Sequence, residues 1–165
     1  MTRRFSTILA VLLVSLSLTT TSFAAKKGKI IDTARSAPIS LTEAIEKAED
    51  RLSGDVFEIE LTRKKKRDVY NMWVAVNNGV YELSIDAEDG KTIQQTLKNK
   101  KPLRLGRSIN EVIQIALKKQ PGIAFSAVCK KKRARCTIEV ATASDDIYEV
   151  VVDGNTGDIQ SIELK

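Results

Sequence analysis

The sequence predicts an α+β fold of two tandem units, each one helix packed on a four-stranded antiparallel β-meander. Three observations carry this. First, the stretch from Val69 to Leu97 is written again from Arg135 to Leu164, in a shared order of strand, turn, Tyr-Glu-apolar, Asp, Gly-containing turn and last strand. Second, each copy opens on the same helix signal, Ser40-Leu-Thr-Glu43 and Ser108-Ile-Asn-Glu111. In such a capping box the Ser side chain and the Glu three residues on satisfy each other's free backbone amides. Third, the segments after each helix alternate apolar and polar residues with the period of a strand.

The first residues read as a targeting segment. Arg3 and Arg4 precede the apolar run Ile8 to Leu18, and Ser22-Phe23-Ala24 offers small residues at signal-peptidase spacing. The expectation is cleavage near Ala24 and an exported, periplasmic or secreted product, since the run is short for a bilayer-spanning helix. Losing Arg3 and Arg4 lowers the net charge from +6 to +4. The domain reading is 1–24 signal peptide, 25–38 flexible basic leader, 39–97 first domain, 98–104 linker and 105–165 second domain. Units this small sit near the lower limit for a self-sufficient core, so the copies are expected to support each other.

The first helix spans Leu41 to Leu52, with Leu41, Ala44, Ile45, Ala48 and Leu52 on one stripe and Ser53-Gly54 ending it. The next strand turns Phe57, Ile59 and Leu61 one way and Glu58 and Glu60 the other. Asn78-Gly79 predicts a two-residue hairpin turn, which sets Val74 opposite Leu83 and Met72 opposite Ile85. Trp73, the single Trp, then lies on the face away from the helix, while Tyr81 and Tyr148 are expected as core anchors. In the second copy the helix presents Ile109, Val112, Ile113, Ala116 and Leu117 inward, and Pro121-Gly122 ends it. A turn at Ser144-Asp145-Asp146 sets Val140 opposite Val150 and Ile138 opposite Val152. Asp86 to Gly90 and Asp153 to Gly157 read as matching structural turns in which the Asp accepts turn amides.

Helix, Gly, alternating strand, then Tyr81-Glu82-Leu83 and Asp86-Ala87-Glu88-Asp89-Gly90-Lys91 resembles the PepSY domain. Tyr148-Glu149-Val150 and Asp153 to Gly157 resemble it more distantly, with Gly154 where the pattern has Ala. The resemblance implies two PepSY-like copies over nearly all of the mature chain. It also implies a small exported module with an inhibitory or partner-binding role, of the kind found in peptidase propeptides and stand-alone envelope proteins.

Catalysis is disfavoured by inventory. The chain has no His, which removes the usual general base, the usual nucleophile activator and the commonest zinc ligand. No metal site or cofactor is expected. Glu58 with Glu60, and Asp145 with Asp146, read as solvated charges. Cys129 and Cys136 flank one hairpin tip with both side chains inward, and in an exported chain they are expected to form a disulfide. Leu61 and Tyr70 hold the corresponding places in the first copy.

Candidate partner-binding residues are Trp73 and two basic hairpin tips, Arg63-Lys64-Lys65-Lys66-Arg67 and Lys130-Lys131-Lys132-Arg133 with Arg135. Lys98 to Lys101 adds a third cluster. The expected function is an exported, non-catalytic PepSY-like module that restrains or regulates an envelope peptidase or signalling protein such as a sensor. The alternative is an accessory that docks by charge, through its basic tips, on an anionic lipid or lipopolysaccharide surface. Export and the absence of interleaved aromatics argue against nucleic acid.

Overall fold

Among the described residues three α-helices and eight strands make a mixed α+β fold on one antiparallel sheet. The fold is that of a computed structural model, which describes residues 20–64 and 66–165, with side chains from residue 28 onward. Most of the expected signal peptide therefore lies outside the described residues. In chain order the elements are α1 (Thr20–Ser36), α2 (Leu41–Leu52), β1 (Asp55–Lys64), β2 (Arg67–Val76), β3 (Gly79–Asp86) and β4 (Thr92–Lys98). Then come α3 (Ile109–Lys119), β5 (Ile123–Lys130), β6 (Arg135–Ala141), β7 (Ile147–Asp153) and β8 (Ile159–Leu164).

The strand order is β4-β3-β2-β1-β5-β6-β7-β8. Where the sequence suggests two separate four-stranded meanders, β1 and β5 pair antiparallel and fuse all eight strands into one sheet. The register of this seam is symmetric. Ile59 lies opposite Ala127, with Glu58 opposite Val128 and Glu60 opposite Ser126. Residues 68 apart therefore exchange places across the seam.

Both capping boxes form, with Ser40 and Ser108 accepting from the amides of Glu43 and Glu111 at 3.2 Å and the two Glu carboxylates accepting the Ser amides at 2.8 Å. The stripes that follow, Leu41, Ala44, Ile45 and Ala48 on α2 and Ile109, Val112, Ile113 and Ala116 on α3, are buried. They join Ile59, Met72, Leu83, Ile138 and Val150 in one apolar core. Tyr70 is also buried there and donates to the Ile39 carbonyl at 2.7 Å. Burial, reinforced by Glu43, pushes its hydroxyl up to about 12.

Several expectations are corrected. The supposed flexible leader 25–38 lies mostly in α1, whose Ile31 is 1% exposed and packs into the core. Arg35 fixes its end, pairing with Asp145 at 2.5 Å and donating to the Thr142 carbonyl at 2.7 Å. Both hairpin registers shift by two residues: Met72 faces Leu83, Val74 faces Tyr81, Ile138 faces Val150 and Val140 faces Tyr148. A shift of two leaves the inward set inward. The first turn is Asn77-Asn78, and Gly79 belongs to β3, where a Cβ would come within 3.2 Å of Leu97 and 3.6 Å of the Lys98 carbonyl. Phe57 and Phe125 each fall at a bulge, where the pairing skips from Val56 to Glu58 and from Ala124 to Ser126. Phe125 is buried while Phe57 is half-exposed. Tyr81 packs on the core edge, and Tyr148 is half-buried rather than a core anchor.

Candidate functional site

Because β1 and β5 run antiparallel, the two basic tips point to opposite ends of the sheet. At about 3.3 Å per residue from the Ile59–Ala127 seam, they stand roughly 35 Å apart. They do not form one paired surface, and their surroundings differ.

Both arginines of the first tip are paired with carboxylates. Arg63 Nε lies 3.7 Å from Asp68, Arg67 Nε lies 3.4 Å from Asp86, and Lys64 Nζ donates to Asn71 Oδ1 at 2.7 Å. Lys66 takes a left-handed backbone (φ 68°) with its side chain exposed, and Lys65 lies outside the described residues.

The second tip is open. Only Arg135 of this tip has an ion pair among the described residues, 3.7 Å from Glu149, while Lys131, Lys132 and Arg133 have none. A short 3₁₀ turn over Lys132–Ala134 holds two successive left-handed residues, Arg133 (φ 61°) and Ala134 (φ 46°). For residues with a Cβ this costs about 1–2 kcal/mol each. The turn is anchored where Gly154 N donates to the Ala134 carbonyl at 2.7 Å.

The segment after β4 comes to this same end. Lys98 pairs with Glu82 at 2.9 Å, Lys100 sits over Trp73 at 3.5 Å, and Arg104 pairs with Asp55 at 3.2 Å. Gly106 N then donates to Asn155 Oδ1 at 2.9 Å and Arg107 N to the Gly154 carbonyl at 3.0 Å. The segment and the second tip enclose a cleft of about 620 Å³, lined by Arg104, Leu105, Lys131, Arg133, Asp153 and Asn155 among others. Asp153 Oδ1 accepts the amides of Thr156 and Asn155, and these bonds hold its carboxyl below the usual range.

Cys129 and Cys136 face each other across β5 and β6 and form a disulfide, as Leu61 and Tyr70 face each other across β1 and β2. The bond also accounts for Gly154. A Cβ there would lie 2.9 Å from Cys136 Sγ, 3.0 Å from the Ala134 carbonyl and 3.2 Å from Leu105. At the matching position Ala87 is accommodated and buried. The Asp86 turn has the same form as that of Asp153: Asp86 Oδ1 accepts from Glu88 N at 2.8 Å, and Gly90 N donates to the Asp86 carbonyl at 3.0 Å. Gly90 and Gly157 both have positive φ, 71° and 85°.

Trp73 stands on the sheet face opposite the helices, half-buried between Glu58 and Glu82 on its neighbouring strands. The two halves are joined edge to edge in one sheet, so among the described residues their sheets do not stack face to face over Trp73. Burial raises the pKa of Glu58, an effect that Glu60 adds to and Lys100 and Lys130 oppose. Among the described residues no group of His, Cys, Asp and Glu is placed to hold a metal ion. Sequence reading did not anticipate the cleft. Arg104 and Asn155 look unremarkable in the chain, and only the path of the segment after β4 brings them to the second tip.

Residues 38–96 match the model of the PepSY family, the peptidase propeptide and YPEB domain. No curated protein matches the chain. Among solved structures, a provisionally assigned lipoprotein from Clostridium difficile 630 aligns at 21% identity and a TM-score of 0.46, over 77% of this chain and 93% of that one. The YpeB C-terminal domain of Bacillus megaterium aligns at 13% identity and a TM-score of 0.32, over 78% of this chain and 66% of that one. Among the described residues no helix is long and apolar enough to cross a membrane.

Proposed function

We propose that the chain is an exported, non-catalytic binding module made of two PepSY-like units, the second spanning residues 105–165, which restrains or regulates an envelope peptidase or signalling protein. The observation that carries this reading is the PepSY match at residues 38–96. The absence of His from the whole chain and the repeated capping box, bulge and Asp-Gly turn agree with it. Trp73 is the aromatic anchor for the partner, since it is half-buried on the sheet face opposite the helices, overlain by the Lys100 ammonium, and Trp is a residue type that dominates protein interfaces. The test is a pull-down from an envelope extract with wild-type and Trp73→Ala protein, the captured protein being identified and assayed. Capture of one protein, lost in Trp73→Ala and inhibited if it is a peptidase, supports the module. Capture of lipid alone, eluted by salt and unchanged by Trp73→Ala, overturns it.

The unpaired cations of the second tip favour a second reading, a charge-docked accessory that binds an anionic envelope surface.

A further inference from the structure

We propose that the cleft between the second basic tip and the segment after β4 is a binding site for a phosphate-bearing anion. The inference rests on the charge-docking reading and assigns it a place and a chemistry. Three basic residues, Arg104, Lys131 and Arg133, line the cleft with one acidic residue, Asp153. The excess of two positive charges matches a dianionic phosphate better than a single carboxylate. Two of the three cations are guanidinium groups, whose planar forks bond phosphate oxygens in pairs.

The contrast between the tips locates the site. They are equivalent hairpins, yet the first pairs its arginines with Asp68 and Asp86. In the second, Lys131, Lys132 and Arg133 have no ion pair among the described residues, and like charges held this close repel one another until an anion neutralises them. Among the described residues Arg104 pairs with the exposed Asp55, a pair that a phosphate can outcompete. Leu105, which lines the cleft, lies 3.2 Å from where a Cβ at Gly154 would stand, beside the disulfide and the Ala134 carbonyl. The cleft wall is thus tied to a cross-linked strand pair rather than to a free loop.

The experiment uses the full mature chain at low ionic strength, titrated calorimetrically with inorganic pyrophosphate and mixed separately with phosphatidylglycerol or phosphatidylcholine vesicles. Variants are Arg133→Gln, Lys131→Gln and Arg104→Gln, with Lys64→Gln and Lys66→Gln at the first tip as controls. Arg133→Gly tests the same charge with the left-handed backbone relieved, so loss of binding there is not loss of fold. The expected result is saturable pyrophosphate binding, weakened about tenfold or more by each cleft variant and little changed by the controls. Vesicle binding lost in the same variants marks a lipid headgroup as the source, and pyrophosphate binding without it marks a free phosphate. Binding that survives the cleft variants and falls in the controls overturns the inference while leaving charge docking in place. No binding to any anionic probe overturns both.

Discussion

Ile59 on β1 lies opposite Ala127 on β5, and the sheet repeats about this pair. Everything 68 residues apart near the seam is exchanged across it, so the structural support each half gives the other passes through β1 and β5. A chain ending at Lys98 retains α2 and its four strands but exposes the β1 edge and the part of its core that α3 and β5 cover. It should melt lower and less cooperatively than the full chain by circular dichroism. A melt as high and as sharp would show the halves to be independent.

Gly54 and Gly122 occupy matching positions ahead of the two bulges. A Cβ at either would sit 2.5 Å from the Ala75 carbonyl or 2.4 Å from the Ala141 carbonyl. The nearest atom in each case belongs to the backbone and cannot swing aside, and a valine methyl, of Val76 or Val140, crowds the same space. Gly54→Ala and Gly122→Ala should each destabilise by about 1–3 kcal/mol, the range for forced overpacking, in urea denaturation.

The fully buried Ile31 and the Arg35 contacts make α1 part of the fold. Ile31→Ala should cost about 2 kcal/mol, the low end for such truncations because a terminal helix can lift away, and Arg35→Ala less. Limited proteolysis should cut Ile31→Ala ahead of Ser40 faster than wild type. Equal rates would mean that α1 does not contribute.

The Cys129–Cys136 disulfide closes a short loop. Intact mass of the purified protein, with alkylation before and after reduction, should show no free thiol until reduction. Replacing both residues with Ala should lower stability by about 2 kcal/mol, at the low end of the usual range for so small a loop.

Glu58 is a glutamate whose charge is penalised in the fold, chiefly by burial. A carboxyl with a raised folded pKa contributes stability at low pH that is lost as pH rises through that value. Glu58→Gln should therefore melt above wild type at pH 7. The difference should close as pH falls below the ordinary glutamate value of about 4.3. Parallel melting curves across that range would refute the assignment.

Much of this architecture is legible in the chain. Ser40 with Glu43 and Ser108 with Glu111 mark both helix starts, and the period of two places Met72, Val74, Ile138 and Val140 on the core side even though both registers shift by two. A hairpin shifted by two keeps its faces, so patterning cannot distinguish the registers. The seam is not legible, because Ile59 and Ala127 look like any inward strand residues. Nor is α1, whose polar and basic composition hides the few apolar side chains that dock it, Ile31 with Ile30 and Ala34. The basic cleft depends on that same unread seam, since the direction of β5 against β1 decides which end of the sheet each tip occupies.

A seam with residue-for-residue exchange is also the geometry by which two separate copies would associate. Joining the halves through residues 99–107 replaces an encounter between molecules with one inside a single chain, at an effective concentration in the millimolar range for a short tether. The joined sheet therefore persists at any dilution. Cutting the tether would leave halves held together by mass action, and their stability would then rise with concentration.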